Sequence, residues 1–325
     1  MIHPEDTVKF HKPSSDSPQW TETNMFSFQV PERSFGVTAY VLARPNVGAV
    51  LSDITMFDRI SLTQSDVLYS DIQTHLPMPP GELGDFTLAN GLHIKTLKPP
   101  TDYQIDYQGI DDTEFHVVFR GLMPPQDIND PDMDPLAVRS EKTYAEAYNG
   151  HFEITGHITG ECRLRGTQFP IDCVSTMDHS WGVRPERDTP TMAYMNVHFG
   201  KDLAIHAIFR VEPEQPEFAG FLHGYVLDHG KVYGLRAGHG SAIRLGQFPI
   251  TLEITVTDIR DKSFHLTGSP IASTLWQNVP NIIDFYALLK CNLDGRIGYG
   301  QMFDACSMAA IGRRNASGSR LLTMP

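Results

Sequence analysis

Asp178-His179-Ser180-Trp181-Gly182-Val183-Arg184 puts an acid, an imidazole, a hydroxyl, an indole and a guanidinium into seven consecutive residues, just past the midpoint of a 325-residue chain. No other window of the sequence is so dense in reactive groups. Gly182 frees the backbone to turn, and Pro185 interrupts any regular continuation. Upstream, Ile171, Cys173 and Ser175 alternate with Asp172, Val174 and Thr176, which reads as a strand. Downstream, Tyr194, Asn196 and His198 alternate with Met195, Val197 and Phe199, the period-two signature of a half-buried strand. The heptapeptide therefore reads as a strand end running into a loop, a favoured place for catalytic groups on a rigid sheet.

The face carrying Tyr194, Asn196 and His198 has two readings. Polar tips on apolar bodies suit a mostly apolar pocket with a few polar anchors. The same three residues would equally serve as the wet side of an antiparallel sheet.

Away from this centre the chain is a succession of short strands. Residues 1–24 are polar and read as an irregular lead-in anchored by Trp20, and the runs at 26–29, 37–42 and 49–57 then form an early antiparallel meander. Asn90-Gly91 marks a hairpin, and strands follow at 103–107 and 114–119. The interval 124–135 is acidic with four prolines and is expected as a surface loop. A short helix is expected at 141–148, closed by Asn149-Gly150, and another at 304–311. Strands at 151–158 and 161–164 precede the central segment, and hairpins follow it at 193–209, 218–235, 250–267 and 284–303. His229 falls in a turn, which fits a turn residue better than a ligand. Roughly fifteen to eighteen strands at even spacing with almost no helix predict an all-β fold of the sandwich or barrel kind.

Composition narrows the function. A formal net charge of −13 without a basic patch argues against nucleic acid, whose phosphates it would repel. Four widely spread cysteines, with no C-x-x-C pair, suit reduced thiols. The N-terminus lacks a basic and apolar leader and the chain lacks a long apolar run, so a cytoplasmic protein without membrane insertion is expected. Nucleotide-binding, nicotinamide-binding, zinc-protease and α/β-hydrolase motifs are all missing. His198 and His206 fall in a plausible hairpin relation but have no carboxylate beside them in sequence, so neither metal nor cofactor is expected. Acid–base chemistry in an apolar chamber remains. Asp178 and His179 are the candidate proton-handling groups, with burial beside Trp181 raising the carboxyl toward the working range. Trp181 and Tyr194 would wall a developing cation, and Asn196, His198, His206 and Arg184 would place substrate or water.

The segment Asp178-His179-Ser180-Trp181-Gly182, with the later Asp294-Gly295-Arg296-Ile297-Gly298-Tyr299-Gly300, resembles the carotenoid 1,2-hydratase (hydroxyneurosporene synthase) superfamily. The likeness covers the order of elements over most of the chain and is sharp at these two motifs. It implies two lipocalin-like antiparallel barrels or half-barrels in tandem, here 1–170 and 171–325, with the motif near their junction. It also implies a cofactor-independent hydratase, dehydratase, isomerase or cyclase acting on a hydrophobic, terpenoid-like or aromatic molecule. His179 and Trp181 match the superfamily's motif. The Tyr-x-Asp of a following strand is not matched, since Tyr194-Met195-Asn196 and His206-Ala207-Ile208 stand there. Asp178, His206 and Glu153 thus remain as donor candidates, and Tyr194 as a further catalytic group. The rival expectation is a carrier that holds a lipid or pigment unchanged, the heptapeptide serving as a structural bracket. A homo-oligomer or an accessory role in a larger assembly is compatible with either.

Overall fold

In the computed structural model the described residues are 1–135, 149–184, 187, 189–212 and 214–316, with only the backbone of Asn278. The helix expected at 141–148 lies outside them.

The early meander is present as β1 (Trp20–Val30), β2 (Phe35–Arg44), β3 (Ala49–Phe57) and β4 (Tyr69–Pro77). Next come β5 (Asp85–Thr87), β6 (Leu92–Lys98), β7 (Asp102–Gln108) and β8 (Glu114–Gly121), and the two-residue β9 (Gln126–Asp127). Two long strands, β10 (Gly150–Leu164) and β11 (Thr167–Val183), form the central hairpin. β11 pairs back to β1, giving one open sheet in the order β4-β3-β2-β1-β11-β10-β8-β7-β6-β5, with β9 on β10. The second sheet is a closed barrel of eight strands, β12 (Met192–His198), β13 (Leu203–Arg210), β14 (Gly220–Asp228), β15 (Lys231–Leu245), β16 (Phe248–Asp258), β17 (Ser263–Val279), β18 (Ile282–Leu293) and β19 (Arg296–Ser307). The pairing of β12 with β19 closes it and leaves no edge. The all-β expectation of tandem barrel-like units holds, as an open curled sheet followed by a closed barrel.

Four expectations need correction. The heptapeptide is not a strand end entering a loop, because β11 runs through it to Val183, paired on both flanks with β1 and β10. Gly182 carries φ 150° inside that strand, so its freedom keeps the ladder running instead of turning it. Residues 171–183 thus belong to the first sheet, and the change of sheet falls between Val183 and Met192. The lead-in ends earlier than expected, since β1 begins at Trp20 and takes Glu22 into the sheet. The acidic interval 124–135 is no plain surface loop, for Gln126, Asp127 and Asp134 are buried and β9 lies within it. The helix expected at 304–311 starts later, at Met308, as α1 (Met308–Ala316), because β19 continues to Ser307. As expected, His229 sits in a turn, exposed and with φ 51°.

Strand alternation places the cores. Met195, Val197, Ile205, Ala207, Phe209, Ala287 and Met302 fill the barrel, while Phe26, Phe28, Ile54, Phe115, Phe119 and Phe152 fill the hollow of the open sheet. A third cluster lies between the two: Met25, Tyr40, Leu42, Leu51 and Phe57 from the sheet meet Ala272, Trp276, Tyr286 and Leu288 from the barrel. At about 2 kcal/mol for each large apolar side chain buried, this contact keeps water from the facing surfaces of both sheets.

Candidate active site at the sheet–barrel junction

The junction face of the open sheet follows from register. Glu153 pairs with Asp178, His151 with Ser180 and Thr155 with Thr176, and all six are on the side opposite Phe152, Ile154 and Met177. On the barrel, the odd residues of β12 point inward, so Tyr194, Asn196 and His198 point outward. They are not a wet face, because the open sheet covers them and leaves Asn196 1% exposed. His206 on β13, and His223 and Tyr225 on β14, share that face.

Two halves of the chain thereby meet around one carboxylate. Glu153 is fully buried, with Oε1 2.8 Å from His151 Nε2 and 3.0 Å from His206 Nε2. The donor atoms of His206 and His223 lie within 4.8 Å of each other and of Glu153, and His223 Nδ1 is 4.0 Å from Asp134 Oδ2. Burial opposes charge on Glu153, yet His206 and His151 outweigh it and hold the carboxyl well below its ordinary range. Burial likewise opposes charge on His151, and Glu153 more than compensates, raising it. Asp178 is raised chiefly by burial, with its neighbour Glu153 adding repulsion. The pair thus separates into an ionised Glu153 and an Asp178 that keeps its proton more readily, a division of labour suited to acid–base work.

A directed hydrogen-bond chain runs beside this cluster. His198, pushed down to about 3 by burial, is neutral. Its Nδ1 faces the Tyr299 carbonyl at 3.2 Å, and a carbonyl can only accept, so Nδ1 carries the hydrogen. Its Nε2 then accepts from Thr176 at 2.9 Å, Thr176 accepts from Thr155 at 3.2 Å, and Thr155 accepts from Tyr225 at 2.8 Å.

The junction also has an acidic, aromatic end. Tyr194 lies edge-on to His206, with ring centroids 4.8 Å apart, and stacks on Phe303, also at 4.8 Å. Phe303 stacks on Tyr286 at 5.7 Å, and Trp276 lies 6.0 Å from Tyr286. Trp276 Nε1 donates to Asp53 Oδ2 at 2.8 Å. Burial pushes Asp53 up to about 7, and Asp284, buried and repelled by Asp53, up to about 8. A cavity of about 10 Å³, enough for a single water, is lined by Phe57, Ser175, Asn196, His198, Tyr286 and Gln301, among others. Neither end of the Asn196 side-chain amide has a protein hydrogen-bond partner.

The structure divides the predicted residues. Asp178, Tyr194, Asn196, His198 and His206 gather at the junction, and Arg184 is held on Thr23 and Ser180 at the same face. His179 and Trp181 do not join them, because adjacent strand residues point to opposite faces. They lie in the hollow of the open sheet, where His179 is 3.4 Å from Glu22 Oε1 and Trp181 stacks on His11 at 3.7 Å with rings 8° apart. Gly150 makes room for that indole, since a Cβ there would stand 2.1 Å from the Trp181 ring. Burial would raise Glu22, but His11 and His179 overcome this and hold it at about 2. Sequence reasoning missed His151, His223, Asp53, Asp284, Trp276, Glu22 and His11. The alternation of His151, Glu153 and Thr155 with Phe152 and Ile154 was a readable signal of a polar face in a buried strand. Nothing in sequence spacing joined it to His206.

The family model described as a domain of unknown function, DUF7064, matches residues 3–308. The chain is a member of the DUF7064 family. No curated protein sequence matches this DUF7064 chain. Among solved structures it is similar to kievitone hydratase from Nectria haematococca, at 10% identity and TM-score 0.57, covering 94% of this chain and 93% of that one. It is also similar to a putative AttH from Nitrosomonas europaea, at 10% identity and TM-score 0.58, covering 88% and 91%. The protein CghA matches at 11% identity and TM-score 0.53, covering 92% and 94%, and has also been solved with Sch210972. At such identities the likeness is one of fold, and the resemblance drawn from residues 178–182 and 294–300 is upheld at that level.

Proposed function

We propose that this DUF7064 protein is a cofactor-independent lyase or isomerase that adds or removes water, or rearranges a carbon skeleton, by acid–base chemistry on a hydrophobic terpenoid-like or aromatic molecule at the sheet–barrel junction. The observation that carries the reading is the meeting of half-buried Asp178 with buried Glu153, His151 and His206, drawn from both sheets beside an aromatic wall. In the hydration direction Asp178 gives its proton to one alkene carbon and leaves the cation on the other. Water held by the side-chain amide of Asn196 adds to that carbon and releases a proton to His206, backed by Glu153. Return of that proton to Asp178 closes the cycle, with one water gained by the product. The hydratase among its structural neighbours, and the neighbour solved with Sch210972, are consistent with this chemistry.

The test is to incubate the protein with pools of unsaturated and tertiary-alcohol terpenoids and phenolics and follow the gain or loss of one water, or isomerisation, by mass spectrometry and chromatography. Asp178→Asn and His206→Ala are expected to lower turnover by roughly 10²–10⁴-fold with folding intact. Undiminished turnover in both would refute the assignment. The carrier reading draws support from His179 and Trp181, which pack against the lead-in like a bracket. It predicts a ligand recovered unchanged.

A further inference from the structure

The cluster around Glu22 takes no part in the proposed reaction, yet its donors point at one spot. Glu22 is buried on β1, and its Oε2 accepts the His11 backbone N–H at 2.9 Å, leaving Oε1 toward two imidazoles. Oε1 stands 2.8 Å from His11 Nδ1 and 3.4 Å from His179 Nε2, and the three donor atoms lie within 4.8 Å of one another. His11 Nε2 is 3.2 Å from Asp6 Oδ1. Both carboxylates can only accept. If Nε2–H serves Asp6, the Nδ1 lone pair meets the Glu22 carboxylate, so a proton or a cation must lie between them. His179 is 1% exposed, and neither of its ring nitrogens makes a hydrogen bond.

We propose that His11, Glu22 and His179 form a binding site for a divalent first-row transition ion, with Zn²⁺ the best fit. Two imidazole nitrogens and one carboxylate oxygen are a zinc donor set, and tetrahedral ligands about 2.0–2.1 Å from the metal stand roughly 3.4 Å apart. The His179–Glu22 separation already has that value, and the His11–Glu22 contact need open only about half an ångström to reach it. Asp6 supplies the outer carboxylate that orients a metal-bound imidazole, and Trp181, stacked flat on His11, fixes the ring. The His11 side chain is 18% exposed while those of Glu22 and His179 are closed off, which gives the ion an entry side and a fourth position for water. Occupancy would pin the lead-in, whose Thr7 and Val8 carbonyls accept from Thr96 Oγ1 and Gly84 N at 2.8 Å, across the hollow from β1 and β11.

Titration calorimetry of the chelator-stripped full chain with Zn²⁺ alone tests the site, with circular dichroism confirming that each variant is folded. The wild type is expected to bind one equivalent and to melt at a higher temperature with zinc than with EDTA. Glu22→Gln and His11→Gln are expected to lose both effects, and Asp6→Asn to bind about tenfold more weakly. Glu153→Gln is expected to bind as the wild type does. Absence of zinc binding to the wild type, binding unchanged in Glu22→Gln and His11→Gln, or binding lost in Glu153→Gln, which would place the ion at the junction, each overturns the proposal.

Discussion

Replacing Glu153 by Gln keeps the shape of the side chain and removes the charge that two imidazoles share. Both imidazoles face the same oxygen, Oε1, so an amide oxygen placed there can still accept from them, and what is lost is the negative charge. Breaking a buried ion pair costs about 3–5 kcal/mol when a charge is left stranded, and hydrogen bonds to charged groups contribute about 1.5–3 kcal/mol each. His151 can discharge by losing a proton, so the loss is expected near the lower end, about 2–4 kcal/mol, or roughly 3–6 °C in thermal midpoint for a chain of this size. The pH dependence is more diagnostic than the size. Glu153 is depressed in the folded state, so its contribution is present above the ordinary carboxyl value of about 4.3 and fades as pH falls through the folded value. His151 is raised, so its contribution is complete below the ordinary imidazole value of about 6.5 and is lost as pH rises through the folded value. The difference between wild type and Glu153→Gln is therefore greatest at about pH 5–6.5 and shrinks on both sides. Thermal melts from pH 4 to 9 measure it. A difference that stays flat across that range would show that Glu153 is not an ionised group paired with an imidazolium.

Asp53, held at about 7 by burial, stabilises the fold while protonated, and that contribution is lost as pH rises from the carboxyl range through about 7. Asp53→Asn should therefore gain stability relative to wild type between pH 5 and 8, by about 2–3 kcal/mol, and a variant that loses ground over that interval in urea melts contradicts the assignment. Gly150→Ala forces a methyl group to within 2.1 Å of the Trp181 ring, so an overpacking loss of about 1–3 kcal/mol is expected, and an unchanged melting temperature would mean the indole is not held there. For the proposed chemistry, His206→Ala should cost far more turnover than His179→Ala, which sits on the opposite face of β11. Equal losses in the two variants, both folded, would tell against a site at the junction.

Much of the β architecture was legible locally, because strand alternation and turn residues are properties of short windows. The meander at 26–57 and the hairpin from 193 to 209 followed from period two and from Pro, Asn, Asp and Gly at the turns. Less local features were misread. Gly182 and Pro185 suggested a break, whereas β1 and β10 supply partners on both flanks that carry the strand through to Val183. Pro124 to Pro135 suggested a solvated loop, whereas Gln126, Asp127 and Asp134 are buried where it runs past β10 and His223. Among the described residues no helix is long and apolar enough to cross a membrane.

By itself the sequence determined which side chains share a strand face, since alternation is fixed by the extended backbone. It therefore placed Tyr194, Asn196 and His198 together and, read strictly, set Asp178 apart from His179. It could not determine what each face meets. Glu153 joins His206 across 53 positions of chain only because the outer face of the barrel packs on β10 and β11, and the charge each group carries depends on burial and neighbours that this packing alone supplies.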